Sequence, residues 1–243
     1  MWLDEHTNIS VRVKDIRMKR FLIRGRGVVR IYRGDTRKYS GLYRFMIVSE
    51  SASRSLRDNV LAVYYYSMDT KLDAYRSGYV PFSPGMIARH NTSAATIMHE
   101  YAHHVYYYGD YDVVSKADPY YRILRSNHRV REKLARLLGP SGNFYVNYII
   151  KNGASEFLAV ITEHYYRKVM VGGNLAWKEE LLDIFRRHMG RVARKIGRYP
   201  LNRIICYVFK QFGRTLFIVI GSEKFIERIR NILRGISMVI NKT

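Results

Sequence analysis

The first third of the chain alternates short apolar runs with turn residues. Residues 21–24 and 28–32 are β-prone runs on either side of a Gly-Arg-Gly turn, and residues 42–48 form a third run. Such short runs bounded by turn residues are typical of strands. Residues 53–63 instead have a helical pattern that begins at Ser53, a favoured N-cap residue type. We therefore predict a β-rich N-terminal part over residues 1–84.

A short extended segment and a long helix are predicted after the Pro-containing loop at residues 81–85. Residues 85–90 have an extended pattern, and we predict that they form an edge strand. The polar residues 91–93 then precede Ala94–Tyr108, which no Gly or Pro interrupts, and Gly109 follows where helices commonly end. This stretch is the best-bounded helix in the sequence.

The rest of the chain is predicted to be mostly helical, because its apolar residues recur every three or four positions. The predicted helices cover residues 118–138, 153–169, 178–196 and 222–240. We divide the chain into the β-rich part, a central helical part at 85–173 and a helical C-terminal extension at 174–243. The expected fold class is α+β, with an N-terminal sheet and a helical C-terminal half.

The composition is that of a folded and strongly basic protein. Hydrophobic residues make up 47% and charged residues 26% of the 243 residues, which excludes a disordered chain. The 42 Lys and Arg against 20 Asp and Glu give a net charge of +22. A positive field of this size favours polyanions such as nucleic acid as partners. A solvated basic surface, as in thermophile proteins, explains the charge equally well.

Cysteine content and hydropathy exclude two further classes. Cys206 is the only cysteine, so an intramolecular disulfide and a Cys-based zinc finger are excluded, and its apolar surroundings predict a packed thiol. The longest apolar run, residues 216–220, is far below the roughly 20 residues of a spanning helix. Residues 1–20 have no signal-peptide core. We expect a cytoplasmic protein without a transmembrane segment.

The best-bounded helix contains the motif His99-Glu100-Tyr101-Ala102-His103. Residues i and i+4 lie on one helix face, so two imidazoles can bind one Zn²⁺ at about 2.0–2.1 Å. Glu100, beside the first ligand, can act as the general base that takes a proton from the attacking water. His104 lies about 100° further around the helix and is expected to be a neighbouring or surface residue rather than a ligand.

A carboxylate is expected as the third ligand. The metzincin extension is excluded, because Tyr106 and Gly109 stand where that class needs Gly and His. Glu156, near the start of the helix predicted at residues 153–169, would complete a His₂Glu site with one open position. The alternatives, in order of preference, are Glu163 and then Asp110 or Asp112.

The segment from Thr96 to Val105, together with Ala154-Ser-Glu-Phe-Leu-Ala159, resembles the gluzincin metallopeptidases. The long gap between the two segments and the residue pattern around Glu156 are similar to those of the anthrax lethal factor branch and its archaeal relatives. The resemblance covers mainly residues 85–168. It implies a zincin-like domain with zinc bound by His99, His103 and Glu156 and with Glu100 as base.

The family has two further kinds of residue at its active site, one that orients a zinc ligand and one that stabilises an oxyanion. The first is replaced in this chain, and no motif identifies the second. The family usually has an acid four residues after its glutamate ligand, which orients the first histidine, but this chain has Val160 there. Glu163, on the same helix face as Glu156, can substitute for it. The family also often supplies a Tyr or His that stabilises an oxyanion, and Tyr145 and Tyr148 are our choices for this role.

The sequence thus predicts a zinc-dependent peptidase, with an endopeptidase preferred and a peptide or protein as substrate. An extended substrate would pair with the strand at residues 85–90. Two alternatives remain at this stage. One is a basic nucleic-acid-binding protein with a structural or residual zinc site, using the arginines of residues 20–40 and 186–198. The other is an inactive interaction protein of the same fold, which Val160 would explain.

Overall fold

The computed structural model describes residues 2–4, 9–11, 29–32, 42, 44–50, 61–65, 84–196, 200–220 and 223–240. The chain forms two compact units, one from residues 1–100 and 211–243 and the other from residues 101–210. The division falls inside a single helix, α1 (Ala94–Tyr108). Mixed strands and helices confirm the α+β class.

The first unit is built on a five-stranded mixed sheet. Its strands are β3 (Val29–Tyr32), β4 (Arg44–Glu50), β5 (Ala62–Tyr65), β6 (Gly85–Arg89) and β7 (Leu216–Ile220), and a separate antiparallel pair is formed by β1 (Trp2–Asp4) and β2 (Ile9–Val11). The order in the sheet is β3-β7-β4-β6-β5. β4 is parallel to both of its neighbours, whereas the two outer pairs are antiparallel.

The centre of the sheet is apolar along its length, as expected for parallel strands covered on both faces. Phe45, Met46 and Ile47 of β4 are buried, and so are Met86 and Ile87 of β6. At the start of β6 the two strands leave no room for a side chain. A Cβ on Gly85 would lie 2.0 Å from the carbonyl oxygen of Met46, so this register requires glycine.

The predicted strands that fall on described residues are present, but β6 does not have the predicted place in the sheet. The runs at 28–32 and 42–48 are confirmed with slightly shifted bounds, and residues 21–24 lie outside the described residues. The helix predicted at 53–63 is wrong at its end, where Ala62 and Val63 belong to β5, and residues 53–60 are outside the described part.

β6 confirms the extended segment predicted at residues 85–90, but the prediction of an edge strand is wrong. The strand pairs with β4 on one side and with β5 on the other. Its backbone donors and acceptors are therefore used within the sheet, and a peptide substrate has no free edge there. A local sequence pattern specifies an extended segment, whereas the number of partners depends on segments distant in the chain.

β7 is a strand that the prediction of a helical C-terminal half did not include. Its residues are the apolar run 216–220, and the strand lies between β3 and β4. Phe217 and Val219 are fully buried. The sheet is therefore not purely N-terminal, because a C-terminal strand joins its two halves.

Among the described residues, no helix has the length and apolar content that crossing a membrane requires.

The remaining helices largely follow the predicted pattern. They are α2 (Tyr111–Val114), α3 (Ala117–Ser126), α4 (His128–Leu138), α5 (Gly142–Asn152), α6 (Ala154–Tyr165), α7 (Leu175–Ile196), α8 (Pro200–Arg214) and α9 (Glu223–Ile240). The helix α1 has the predicted bounds. Cys206 on α8 is exposed, so the prediction of a packed thiol is wrong.

Two predicted helices are interrupted. The helix expected at 118–138 divides at Asn127, whose side-chain oxygen accepts a hydrogen bond from the backbone N–H of Val130 (3.2 Å) and begins α4. Asn at an N-cap satisfies a donor that the helix itself leaves unpaired. The helix expected at 153–169 changes to a π-helical segment, Tyr166–Val171, which is followed by Gly172.

α6 is the central helix of the second unit, because every residue from Ser155 to Tyr165 is buried. Phe157 holds it against two neighbouring helices. Its ring stacks on Tyr120 of α3 at 6.2 Å and meets Phe185 of α7 edge-on at 5.7 Å. Aromatic pairs of this geometry add to the stabilisation from burial. The start of α6, where Glu156 lies, is therefore held on a packed element.

The start of α1 is attached to the first unit by side-chain hydrogen bonds. Ser93 caps the helix, its Oγ accepting from the Thr96 N–H at 3.1 Å. The Thr92 hydroxyl donates to the Leu61 carbonyl at 2.9 Å. Arg228 of α9 donates to the carbonyl oxygens of His90 and Thr92. The turn before α1 is thus fixed from two sides.

We expect Arg228→Met to lower the free energy of unfolding by about 1–3 kcal/mol, because two charge-assisted hydrogen bonds to carbonyl groups are lost. Denaturant unfolding measures this. Arg234→Met, on the same helix, removes only exposed contacts to Glu227 and Asn231 and should cost less than about 0.5 kcal/mol. Equal losses in the two variants would contradict the role of Arg228.

Candidate metal site

Helix α1 carries two histidines one turn apart, and the start of α6 supplies a carboxylate. His99 and His103 are half-buried and Glu156 is buried. One ligand atom from each of the three residues lies within 4.8 Å of the other two, so the group could hold a metal ion. The structure therefore brings together the three residues that the sequence analysis selected as ligands.

The distance between His103 and Glu156 fits a shared ion. The imidazole Nε2 lies 3.4 Å from the carboxylate Oε2. Two ligands at about 2.0–2.2 Å from a tetrahedral ion lie about 3.3–3.6 Å from each other. The observed spacing is therefore that of two neighbouring ligands of one ion.

Ser155 orients His103 from the opposite side of the ring. Its Oγ lies 2.7 Å from Nδ1 of His103, while Nε2 faces Glu156. A metal on Nε2 requires a proton on Nδ1, which then donates to the serine hydroxyl. The sequence analysis did not select Ser155. Its position directly before Glu156 was the only available signal, because the contact depends on how α1 and α6 pack.

Glu100 is buried, with 7% of its surface exposed. Glutamate is rarely buried unless it is paired or lies near a metal. Glu100 and Glu156 together give α1 and α6 two buried carboxylates. A divalent cation held by this donor set would offset their charge, so the residues fit such an ion.

The alternative ligands have other positions. Asp110 is exposed and caps α2, its Oδ1 accepting from the Asp112 N–H at 2.9 Å. Glu163 is buried on α6 and accepts a hydrogen bond from Arg167 at 2.9 Å. Neither Asp110, Asp112 nor Glu163 belongs to the metal-binding group found among the described residues.

Val160 and Glu163 are the two residues that bear on how His99 would be oriented. The resemblance leads one to expect an acid at position 160, and Glu163 was suggested as its substitute. Val160 is fully buried, so an apolar side chain occupies the position where an acid was expected. The role suggested for Glu163 in orienting His99 stays a prediction. For His103, the supporting residue is instead Ser155.

His104 does not lie on the surface. It has no exposed surface, and its ring packs against Tyr101 at 5.6 Å and Tyr108 at 5.1 Å on the same helix. The expectation that it is not a ligand agrees with this position, because it is absent from the metal-binding group. The alternative of a surface residue is wrong. An imidazole between aromatic rings packs as an aromatic core residue.

The two tyrosines selected for oxyanion stabilisation have different surroundings. The ring of Tyr145 contacts His164 edge-on at 5.1 Å, and burial together with the nearby Glu163 carboxylate raises the pKa of its hydroxyl. Tyr145 is therefore a neutral donor at neutral pH. Tyr148 is 45% exposed and stacks on Phe144 at 5.9 Å. The catalytic roles of both stay predictions.

Comparison with known protein-family models, with curated proteins and with solved structures gives no match for this chain. The interpretation of the site therefore depends on its own residues and geometry.

We expect Ser155→Ala to weaken binding of a divalent ion about 10–100-fold, because the ring of His103 loses the partner that fixes its orientation and tautomer. Competition of Co²⁺ or Zn²⁺ with a chromophoric chelator measures the affinity. Ser141→Ala, at an exposed serine without a capping bond, should bind like wild type. Undiminished affinity in a folded Ser155→Ala protein would contradict the orienting role.

Proposed function

We propose that this protein is a zinc-dependent peptidase of the gluzincin type, built on a zincin-like domain. The observation that carries the proposal is the convergence of His99, His103 and Glu156, with the buried Glu100 directly after the first histidine. An endopeptidase is favoured, because no sequence segment marks a site for a free peptide N-terminus. The single cysteine favours the cytoplasm as its location.

Zinc is the ion that this donor set favours. Two imidazoles and one carboxylate are a common ligand set of catalytic zinc, in which a fourth position stays open, whereas structural zinc sites are closed by four protein ligands. When bound, zinc would supply Lewis acidity, which polarises the scissile carbonyl and lowers the pKa of water. Among the described residues, three side chains belong to this group, which supports a catalytic arrangement.

Glu100 would carry the proton transfers. Its carboxylate accepts a proton as the oxygen of water adds to the carbonyl carbon of the peptide bond. The same proton passes to the departing amine nitrogen as the C–N bond breaks, which yields a carboxylic acid and an amine. Transfer of the acid's proton to the amine then gives a carboxylate and an ammonium group. Helix α1 keeps Glu100 next to His99, so the base and the ligands share one rigid element.

Tyr145 and Tyr148 are our proposed donors to the oxyanion, because a phenol hydroxyl is protonated at neutral pH and can donate a hydrogen bond. Ser155 acts as a positioning residue for His103. Because β6 is paired on both sides, the substrate backbone would not extend the sheet at residues 85–90.

Two other functions remain as competing proposals. A basic nucleic-acid-binding protein with a structural or residual zinc site is supported by the net charge of +22. An inactive interaction protein of the same fold is supported by Val160, which replaces the acid expected there. Ion binding without hydrolysis of any peptide would favour these proposals over the peptidase.

We expect Glu100→Gln to lower peptide cleavage at least about 100-fold while it retains the metal, because the amide cannot accept the proton. Wild type and variant, both loaded with zinc, are compared on a mixed peptide library by mass spectrometry. Glu179→Gln, at an exposed glutamate, should cleave like wild type. Equal cleavage by wild type and Glu100→Gln would refute catalysis at this site.

Removal of the metal should abolish cleavage, and one equivalent of Zn²⁺ should restore it. The measurement is a chelator titration followed by metal analysis of the purified protein. His103→Ala should bind the ion more weakly than wild type and should not regain activity at stoichiometric zinc. Cleavage that persists in metal-free protein would contradict the proposal.

A further inference from the structure

Helices α3 and α4 carry five exposed basic residues, which we call the basic ridge. Its members are Arg122, Arg125, Arg129, Lys133 and Arg136. None of them was selected in the sequence analysis, which considered the arginines at residues 20–40 and 186–198. Residues 20–28, 33–40, 197–199 and the side chains of residues 190–198 lie outside the described parts, so the ridge is a separate observation.

Core packing turns the ridge toward solvent. α3 buries Ala117, Tyr120 and Leu124, and α4 buries Val130, Leu134 and Leu138. The basic residues occupy the remaining faces. On α4 they stand at i, i+4 and i+7, which is one stripe, and a rise of about 1.5 Å per residue spreads them over about 10 Å. Their positive charges therefore point outward from consecutive helices.

The acidic residues on these two helices already have partners. Asp118 accepts a hydrogen bond from the Tyr106 hydroxyl at 2.9 Å. The Glu132 carboxylate lies 3.7 Å from the imidazole of His128. Among the ion pairs of the described residues, none involves a member of the ridge. The five basic side chains outnumber these two carboxylates, so the ridge has a net positive charge.

The two ends of the ridge differ in their surroundings. Lys133 and Arg136 line a cleft with Glu180 and Asp183 of α7, although Asp183 forms a 2.7 Å ion pair with Arg186. Arg122, Arg125 and Arg129 are not among the residues that line this cleft.

Single-stranded nucleic acid and membranes are usually bound with the help of exposed apolar side chains, whereas phosphates alone need only basic residues. The large hydrophobic residues that are exposed in the described chain are Leu61, Tyr107, Tyr111, Phe144, Tyr148, Val171 and Leu175. None of them lies on α3 or α4. α3 and α4 themselves therefore carry no large, fully exposed aromatic or aliphatic side chain to stack on the bases of a single strand or to enter a bilayer. Its chemistry suits a rigid array of phosphates.

We propose that the basic ridge binds the phosphate backbone of duplex nucleic acid without reading its sequence. Arg and Lys neutralise phosphates and release counterions, a mode of binding that needs no base contact. The proposal is independent of peptide hydrolysis, because the ridge shares no residue with the metal site. In an active peptidase, it would hold the enzyme on the duplex where nucleic-acid-bound proteins are its substrates.

The test compares wild type with the triple variant Arg122→Gln, Arg125→Gln and Arg129→Gln. The control variant carries Arg203→Gln, Lys210→Gln and Lys224→Gln, three exposed basic residues on α8 and α9. Both variants lose three positive charges, so the diffuse field changes equally. Fluorescence anisotropy with a labelled duplex DNA is measured over a salt series, and far-UV circular dichroism checks folding.

We expect wild type to bind with a steep salt dependence. The ridge variant should lose about 2–3 from the slope of log K against log salt, since each lost phosphate contact removes about 0.9. Its affinity at physiological salt should fall at least about tenfold. The control variant should change the slope by less than about 1.

Several outcomes would overturn the proposal. Equal losses in the ridge and control variants would assign binding to net charge alone. A single strand bound as tightly as the duplex would contradict a duplex-specific array. Wild type that binds vesicles of anionic phospholipid but not DNA would identify the ridge as a membrane-facing surface. Peptide cleavage by the ridge variant is measured in parallel, and its result bears on the peptidase proposal alone.

Discussion

The contact of His103 with the start of α6 is the interaction on which the candidate site depends. One ring nitrogen meets the Ser155 hydroxyl at 2.7 Å and the other faces the Glu156 carboxylate at 3.4 Å. Burying Glu156 costs free energy unless a cation or hydrogen bonds offset the loss of water. The nearby imidazole of His103, and a cation if one is held there, would provide that compensation. The packing of α6 and the chemistry of the site are therefore linked.

Rigidity around this contact comes from the apolar core of the helical unit. α6 is buried from Ser155 to Tyr165, and Phe157 packs on aromatic residues of α3 and α7. Metal ligands must be held within a few tenths of an ångström to select an ion. A glutamate on a buried helix satisfies this condition better than Asp110, which lies in an exposed cap.

The basic ridge and the candidate metal site consist of different residues on different helices. The proposed metal ligands and the proposed general base are half-buried or buried, whereas the basic ridge is exposed on α3 and α4. Both sets of positions follow from amphipathic helices that bury one face. The polar residues on a buried face need partners and become a site, while those on the exposed face act through their field. The helices therefore place the proposed metal site and the basic ridge on different surfaces.

The sequence by itself determined the features encoded by neighbouring residues. Caps, spacing and the i, i+4 pair gave α1 with its bounds and placed His99 and His103 on one face, because a helix is specified locally. Tertiary structure decided which distant segments meet: β7 between β3 and β4, β6 in the interior of the sheet, and Ser155 against His103. The division at Asn127 and the burial of His104 belong here too. Local patterns state that a segment is extended or amphipathic, but its partner is chosen by the packing of the whole core.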